Sequence, residues 1–447
     1  MSERMRPTRI VFYGNFGAGN LGNEVTLQTA IEQTLRRLPT ARIVCVCTGP
    51  EDVRARHGIE AAPSLSHDYH WSWSDLSAGL AGSAGGALPA EPTRAHRGVG
   101  AQLARLVRVL FRRVPRELAH WYQMLRLIAA SDVLLVPGTG IVTDANCGSL
   151  GWPYDMFKLT LLARLCGVRV VFLSIGAGPF RYRLGCWFIR RSLGLAHYRS
   201  YRDDDSKRRL ESIGFSNAAH DPICPDLVFG LSRQQLAGRD AVTDSPRIVA
   251  LGLKDYATPV DAADAQGYRD YLDAMAEFVV SLQMRGHVVR LIIGDAQYDT
   301  RVREDLIALL EARGAPSTAP LLLSDPVPTV EELLRQLRET DAVVSPRFHN
   351  LVLALMLNKP VIALSDLPKV TALLVDLGLG RFCLALGGLR TAALTECFAQ
   401  LQNEAASLPA FIRDAVEVYR RSVEHQYAKI YAGMGPSGKS AGERAPA

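Results

Sequence analysis

RIVFYG (9–14), the turn GNFGAGNLGNE (14–24), the stretch VTLQTAIEQTLRR (25–37) and ARIVCVC (41–47) decide how this chain folds. The first and last runs are short, apolar and rich in β-branched residues, the composition of strands buried on both faces. Between them, glycines and asparagines give way to helical spacing, which predicts a helix from about Asn23 to Arg37. Strand, glycine-rich turn, helix and strand form one parallel β-α-β unit.

The alternation continues outward from that unit. A helical period over Gln102 to Ala130 leads into DVLLVPG (132–138), a helix at 153–166, VRVVFLSIG (168–176), a helix near 185–195, SYR (200–202) and a helix at 203–213. Leu231 to Pro246 is polar and poor in large apolar side chains, which marks a boundary. Beyond it the pattern restarts with RIVALGL (247–253), a helix at 267–285, HVVRLIIG (287–294), a helix at 300–313, LLLSD (321–325) and a helix at 328–338. DAVVS (341–345), a helix from about His349, PVIAL (360–364) and a short helix follow, and a last helix at 408–430 is expected to cross back to the first half. The expected fold is α/β, two Rossmann-like doubly wound lobes facing a cleft. Residues 1–232 form the N-terminal lobe with a flexible insertion at about 76–101, 233–246 a linker, 247–432 the C-terminal lobe and 433–447 a disordered tail. In such sheets ligands bind beyond the carboxyl ends of the strands.

Composition narrows the function classes. At 447 residues, 48% hydrophobic and 21% charged, the chain is neither disordered nor fibrous and is long enough for two cores. A net charge of +6 suits an anionic substrate or a membrane surface as well as nucleic acid. No recognisable pattern of aromatic and basic residues supports nucleic-acid binding. Eight scattered cysteines contain no CxxC pair, so reduced core thiols are expected, with no metal site. The opening MSERMRPTRIVFYG has no long apolar segment, and no apolar stretch reaches the ~18 residues of a membrane span, so a cytoplasmic location is expected.

Four strand-to-helix junctions hold residues suited to chemistry. Gly17, Gly19 and Gly22 fit a GxGxxG spacing, with Asn20 among them, but that spacing alone is no dinucleotide fingerprint. Gly138 and Gly140 leave room at the end of a buried strand, where Asp144 is placed to receive a sugar hydroxyl or merely to cap a turn. Arg202 is at a strand tip, where a guanidinium can grip a carboxylate or phosphate, while one of Asp203, Asp204 and Asp205 serves as a helix cap. Ser345-Pro346-Arg347-Phe348-His349-Asn350 carries the most weight. Arg347 offers a permanent cation and His349 a proton-transfer group near neutral pH, and Lys369 opens the next helix.

Taken together, these elements resemble the bacterial polysaccharide pyruvyl transferase family. GNLGN (19–23) is similar to that family's Gly-Asn-x-Gly-Asp, GTGIVTD (138–144) to its GGGxLxD, and YRDDDSKRRLESIG (201–214) to its x-Arg-Asp element with a later Leu-x-x-x-Gly. Its Asp-Pro element is loosely echoed by CPDLVFGL (224–231), its Arg-Leu-His appears as Arg347-Phe348-His349, and its following Pro and Lys as Pro360 and Lys369. Asn23, Thr139 and Phe348 depart from the pattern, and the tyrosine expected before Lys369 is missing.

The resemblance implies a GT-B-like architecture and transfer of the pyruvyl group of phosphoenolpyruvate to two hydroxyls of one sugar, giving a ketal and phosphate. The acceptor would be a cell-surface or exopolysaccharide sugar or its lipid-linked precursor. It implies no resident cofactor, phosphoenolpyruvate being a co-substrate. His349 and Arg347 would be catalytic, with Arg202, Lys369 and Ser345 on the donor side and Asn20, Gly138, Gly140 and Asp144 on the acceptor side. His349 would protonate either the donor's methylene or the departing phosphate. Two other readings stand beside it: a GT-B glycosyltransferase using a nucleotide sugar, with Glu331 or Glu332 gripping the ribose, and a non-catalytic glycan binder.

Residues 103–126 carry Arg105, Arg108, Arg112, Arg113 and Arg116 among leucines, valines, Phe111, Trp121 and Tyr122, with Pro115 interrupting. The stretch reads as a peripheral membrane anchor or as a packed helix with a solvated arginine face.

Overall fold

The computed structural model describes residues 6–64, 99–138, 140–145, 147–237, 247–255 and 265–432, with side chains from 114 in the second segment and from 266 in the last. The predicted insertion up to residue 98, most of the linker, Thr139 and the tail lie outside the described residues.

Six parallel strands form the first sheet: β1 (Arg9–Gly14), β2 (Arg42–Cys47), β3 (Glu60–Pro63), β4 (Val133–Pro137), β5 (Arg169–Ile175) and β6 (Tyr198–Tyr201). Their order is β3-β2-β1-β4-β5-β6. Six more form the second: β7 (Ile248–Leu253), β8 (Val288–Ile293), β9 (Leu322–Leu323), β10 (Ala342–Ser345), β11 (Val361–Leu364) and β12 (Cys383–Leu384), ordered β12-β11-β10-β7-β8-β9. Read from the other edge, the second order repeats the first. Each sheet therefore reverses its winding beside its first strand, between β1 and β4 and between β7 and β10, and opens a crevice there. These are two Rossmann-like lobes.

The central strands are buried on both faces because helices cover both sides, which is why their sequences are continuously apolar. Edge strands β3 and β12, and the helices Pro50–His57 and Thr391–Asn403, have no counterpart in the sequence reading. EAAP and the two-residue CL are too short to show a period, and Pro50–His57 carries almost no apolar stripe.

The last helix, Leu408–Tyr431, does cross back. Its Gln426 donates to Ser174 Oγ at 3.0 Å, its Tyr431 hydroxyl meets Thr34 Oγ1 at 2.6 Å, and Glu424 pairs with Arg36 and Arg37 of the helix Leu21–Arg37. A second join lies at the cleft. Asn20 forms an antiparallel bridge with Asp295 just past β8, and Leu21 N donates to Gly294 O at 3.0 Å. The glycine-rich turn after β1 is thereby held against the opposite lobe.

Candidate active site

The first turn of the helix Leu21–Arg37 faces the first turn of the helix Phe348–Met356. Asn20 caps the former, its Oδ1 accepting from Asn23 N at 3.2 Å while its Nδ2 donates to Asp295 Oδ2 at 3.0 Å. Gly22 lies directly against His349 Nδ1, and any side chain there would collide with the imidazole. On its other side His349 Nε2 is buried, has no hydrogen-bond partner among the described residues, and lies 3.8 Å from Asp226 Oδ2.

Asp226 is at the centre of the cluster. It is buried, caps the short turn Leu227–Gly230 through Val228 N, and accepts from Arg202 Nη1 at 3.2 Å. Arg202 leaves the tip of β6, bonds Asp203 at 3.3 Å and passes so close to Gly176 that a side chain there would push the guanidinium aside. Its guanidinium lies 5.1 Å from the centre of the Phe348 ring, and Lys369 Nζ lies 5.4 Å from the same ring. Phe348, the departure from the leucine of the resembled motif, is thus a π surface for two cations.

Electrostatically the cluster is crowded with positive charge. Burial, and then Lys369, Arg202 and Arg347, hold the His349 imidazole down at about 4 against the opposing pull of Asp226. Burial and Arg202, with Lys254 adding, bring the Lys369 ammonium down to about 7. Asp203 and Asp226 face Arg202 and Lys369. Four helix N-termini, at Leu21, Asp204, Phe348 and Pro368, open on the same region and add their positive dipole ends. A cavity of about 600 Å³ adjoins it, lined by Arg202, Asp203, Asp226, Phe348, Lys369 and Tyr419 among others. That is room for a small polyanion and a sugar together.

The structure brings His349, Arg202 and Lys369 together, with Asn20 at the edge. Arg347 is placed differently from the open anion clamp expected from its strand tip. Its Nε donates to Asp299 Oδ2 at 2.9 Å and its Nη2 to Asp299 Oδ1. Asp299 is fully buried and also accepts from the backbone N–H groups of Asp255, Gly294 and Asp295. The pair clips together the carboxyl ends of β7, β8 and β10. Ser345 lies behind it, buried, its Oγ accepting from Arg347 N at 3.1 Å. Asp144 takes the capping role left open by the sequence: it is fully buried, and its oxygens accept from Arg181 N and Tyr182 N at 2.7 and 2.9 Å. Gly138 packs under Ser174 O, Gly140 is in open space, and neither lines the cavity.

Sequence reasoning gave no site role to three residues of this region, although Asp226 lies in CPDLVFGL. Asp226 follows no strand and precedes a turn too short to show a period. Lys254 is one residue past β7, the kind of strand-tip position used to find Arg202. Asp299 reads as an ordinary first-turn acid of the helix Asp299–Ala312. The candidate ribose acids are engaged elsewhere: Glu332 is bonded to Arg335 and Gln336, and Glu331 accepts from Gln28. Among the described residues no group of three or more potential metal ligands occurs, and no helix is long and apolar enough to cross a membrane.

Comparison with known proteins agrees with the architecture. The UDP-GlcNAc 2-epimerase of Methanocaldococcus jannaschii superposes with a TM-score of 0.54 at 12% identity, over 95% of this chain and 99% of the other. A glycosyltransferase from Rickettsia africae gives 0.53 at 10% identity, over 95% and 97%. At such identities the likeness establishes the fold, which is GT-B-like. No curated protein matches the chain. The family model for polysaccharide pyruvyl transferase matches residues 20–366, a span holding the Asn20 turn, Arg202, Asp226 and His349, and the chain belongs to the polysaccharide pyruvyl transferase family.

Proposed function

We propose that the chain transfers the pyruvyl group of phosphoenolpyruvate to two hydroxyls of one sugar unit of a cell-surface polysaccharide, forming a cyclic ketal and releasing phosphate. The observation that carries this reading is the cation cluster around His349. Burial, and then the neighbouring cations, depress the proton affinity of His349 and Lys369, and a ligand with several negative charges would relieve that crowding. Phosphoenolpyruvate brings a carboxylate and a phosphate within one small molecule.

The chemistry asks for one proton at C3 of the donor and two new C–O bonds at C2. Protonation of C3 leaves an oxocarbenium-like centre at C2, which the first sugar hydroxyl attacks. Cleavage of the C2–O bond then expels phosphate, and the second hydroxyl closes the ketal. Of the two hydroxyl protons, one balances the proton placed on C3 and the other leaves with phosphate. Arg202 and Lys369 neutralise the donor's charges where phosphate departs. His349, neutral in the unliganded site, gains proton affinity once the anion binds beside it, and it passes a proton at Nε2 or Nδ1. Asp226 holds Arg202 and faces the imidazole. Arg347 and Ser345 act through the loop they fix.

The test is a thermal-shift screen with phosphoenolpyruvate, and separately with UDP and UDP-GlcNAc, followed by phosphate release with candidate acceptor glycans. Stabilisation of wild type by phosphoenolpyruvate, absent in Lys369→Ala, is the expected result. Stabilisation by the nucleotides alone would replace pyruvyl transfer with glycosyl transfer.

A further inference from the structure

The helices Val99–Ala129, Trp152–Leu165 and Arg183–Gly194 pack into the core over one face of the first sheet. The first packs inward through His120, Met124 and Ile128. On a different side of the same helix Val114, Leu118, Tyr122 and Leu125 are 45%, 64%, 62% and 39% exposed. Spacings of four, four and three residues stack them into one stripe. The helix thus has a core-facing side and, beside it, an apolar side left in water.

That stripe is continuous with aromatic side chains on the neighbouring helices. Trp121 Nε1 donates to the Tyr154 hydroxyl at 2.9 Å, Tyr154 meets Phe188 with ring centres 5.6 Å apart, and Phe157 meets Trp187 at 5.3 Å. At the far edge Leu184 and Trp187 are exposed again. Arginines lie over the outer rings: Arg126 over Tyr122 at 5.9 Å and Arg191 over Trp187 at 5.5 Å. Segments 114–130 and 180–195 hold six arginines and a single acid, Glu117, already bonded to Lys158 and Tyr154. The sequence of the same long helix adds Arg105, Arg108, Arg112 and Arg113. A second copy of this chain would set arginine against arginine across such a face. A sheet of lipid phosphates complements it, with aromatic and leucine side chains entering the interfacial zone.

Orientation adds a consequence. The helix Val99–Ala129 is 31 residues long, about 46 Å, and it ends just before β4, a strand of about 17 Å. Its first half therefore extends past the carboxyl ends of the strands, on the side where the cleft opens.

We propose that this helical face of the N-terminal lobe docks on an anionic membrane surface, with Leu118, Tyr122 and Trp187 in the lipid interface and the arginines against lipid phosphates. The cleft then opens beside the bilayer, where a lipid-held sugar acceptor is within reach. Only this last clause rests on the pyruvyl-transfer reading.

The test is flotation of the full chain with vesicles of phosphatidylcholine containing about a third phosphatidylglycerol, against phosphatidylcholine alone, at low and high salt. The protein is expected to float with the anionic vesicles only and to lose binding as salt rises. Leu118→Gln combined with Tyr122→Gln should weaken binding about tenfold. Arg183→Gln combined with Arg191→Gln should weaken it roughly thirtyfold. All four positions are exposed, and circular dichroism melts check that the variants fold as wild type does. No flotation, equal flotation with neutral vesicles, or unchanged flotation of both variants overturns the proposal. So does a dimer seen by ultracentrifugation that the Leu118/Tyr122 variant dissolves without any vesicle binding. Flotation needs no turnover, so it stands or falls separately from the proposed reaction.

Discussion

Two strand-tip arginines, Arg202 and Arg347, look alike in the sequence and differ in everything around them. Arg347 is hydrogen-bonded to the buried Asp299, which is itself satisfied by three backbone amides. Arg202 shares Asp203 and Asp226 with Lys369 and His349, and the proton affinities of both those neighbours are depressed. The first arrangement is electrostatically complete. The second is short of negative charge. A completed pair holds the loops in place, and an incomplete one is what the proposed anionic donor would complete.

The comparison breaks most sharply under alanine substitution. Arg347→Ala leaves Asp299 as a buried charge without its cation and should cost about 3–5 kcal/mol of folding stability. Arg202→Ala relieves a crowd of cations, so stability should change by no more than about 1 kcal/mol while kcat/KM falls by roughly 10²–10³-fold. Urea melts and steady-state phosphate release on the two variants give the answer. If both lose stability, or both lose only activity, the distinction between the two sites is wrong.

Position predicted much of this site and partnership predicted the remainder poorly. The buried parallel strands were legible because both faces are covered and the apolar runs are unbroken. Since ligands in such folds gather at strand tips, Arg202, His349 and Lys369 followed from where the runs end. The carboxylates that decide each cation's state did not follow. Asp226 is 24 residues from Arg202 and Asp299 is 48 residues before Arg347, and neither spacing belongs to a local element. Asp144 shows the converse. It has the right position after β4, yet its two oxygens are consumed by the backbone that leads into the helix Arg183–Gly194. The exposed stripe on the helix Val99–Ala129 was visible as a pattern, but whether it faces the core or water is a tertiary fact.

A smaller effect sharpens the idea of an incomplete site. Lys369 has an ordinary proton affinity in the unfolded chain and a lowered one, about 7, in the folded protein. Its charge is therefore a cost to folding that appears as pH falls from the usual lysine range through about 7. Lys369→Met keeps the stem of the side chain and removes that cost. The variant should be more stable than wild type at pH 7 by about 1–3 kcal/mol without ligand, and inactive. Melts at pH 7 and pH 10 provide the measurement, and the gain should shrink at the higher pH. A Lys369→Met protein less stable than wild type at pH 7 would place that lysine among settled structural residues beside Arg347.

The smallest expected effect concerns protons. Below the usual histidine range the unfolded chain takes up a proton that His349, held at about 4, refuses, so this residue's contribution to stability falls as pH drops through 6 towards 4. A bound phosphoenolpyruvate would raise the proton affinity of both His349 and Lys369, because its charges oppose the cations that, after burial, lowered them. Near pH 7 Lys369 is about half charged when empty, so binding should draw a fraction of a proton from solution. Calorimetric titration in two buffers of different ionisation enthalpy reads that fraction directly. Uptake that disappears in Lys369→Met but persists in a variant at the Leu118 stripe would locate it in the cleft. No uptake, or release from the donor's own phosphate, would mean that the anion meets cations already fully charged, and the contrast between Arg202 and Arg347 would then lose its electrostatic basis.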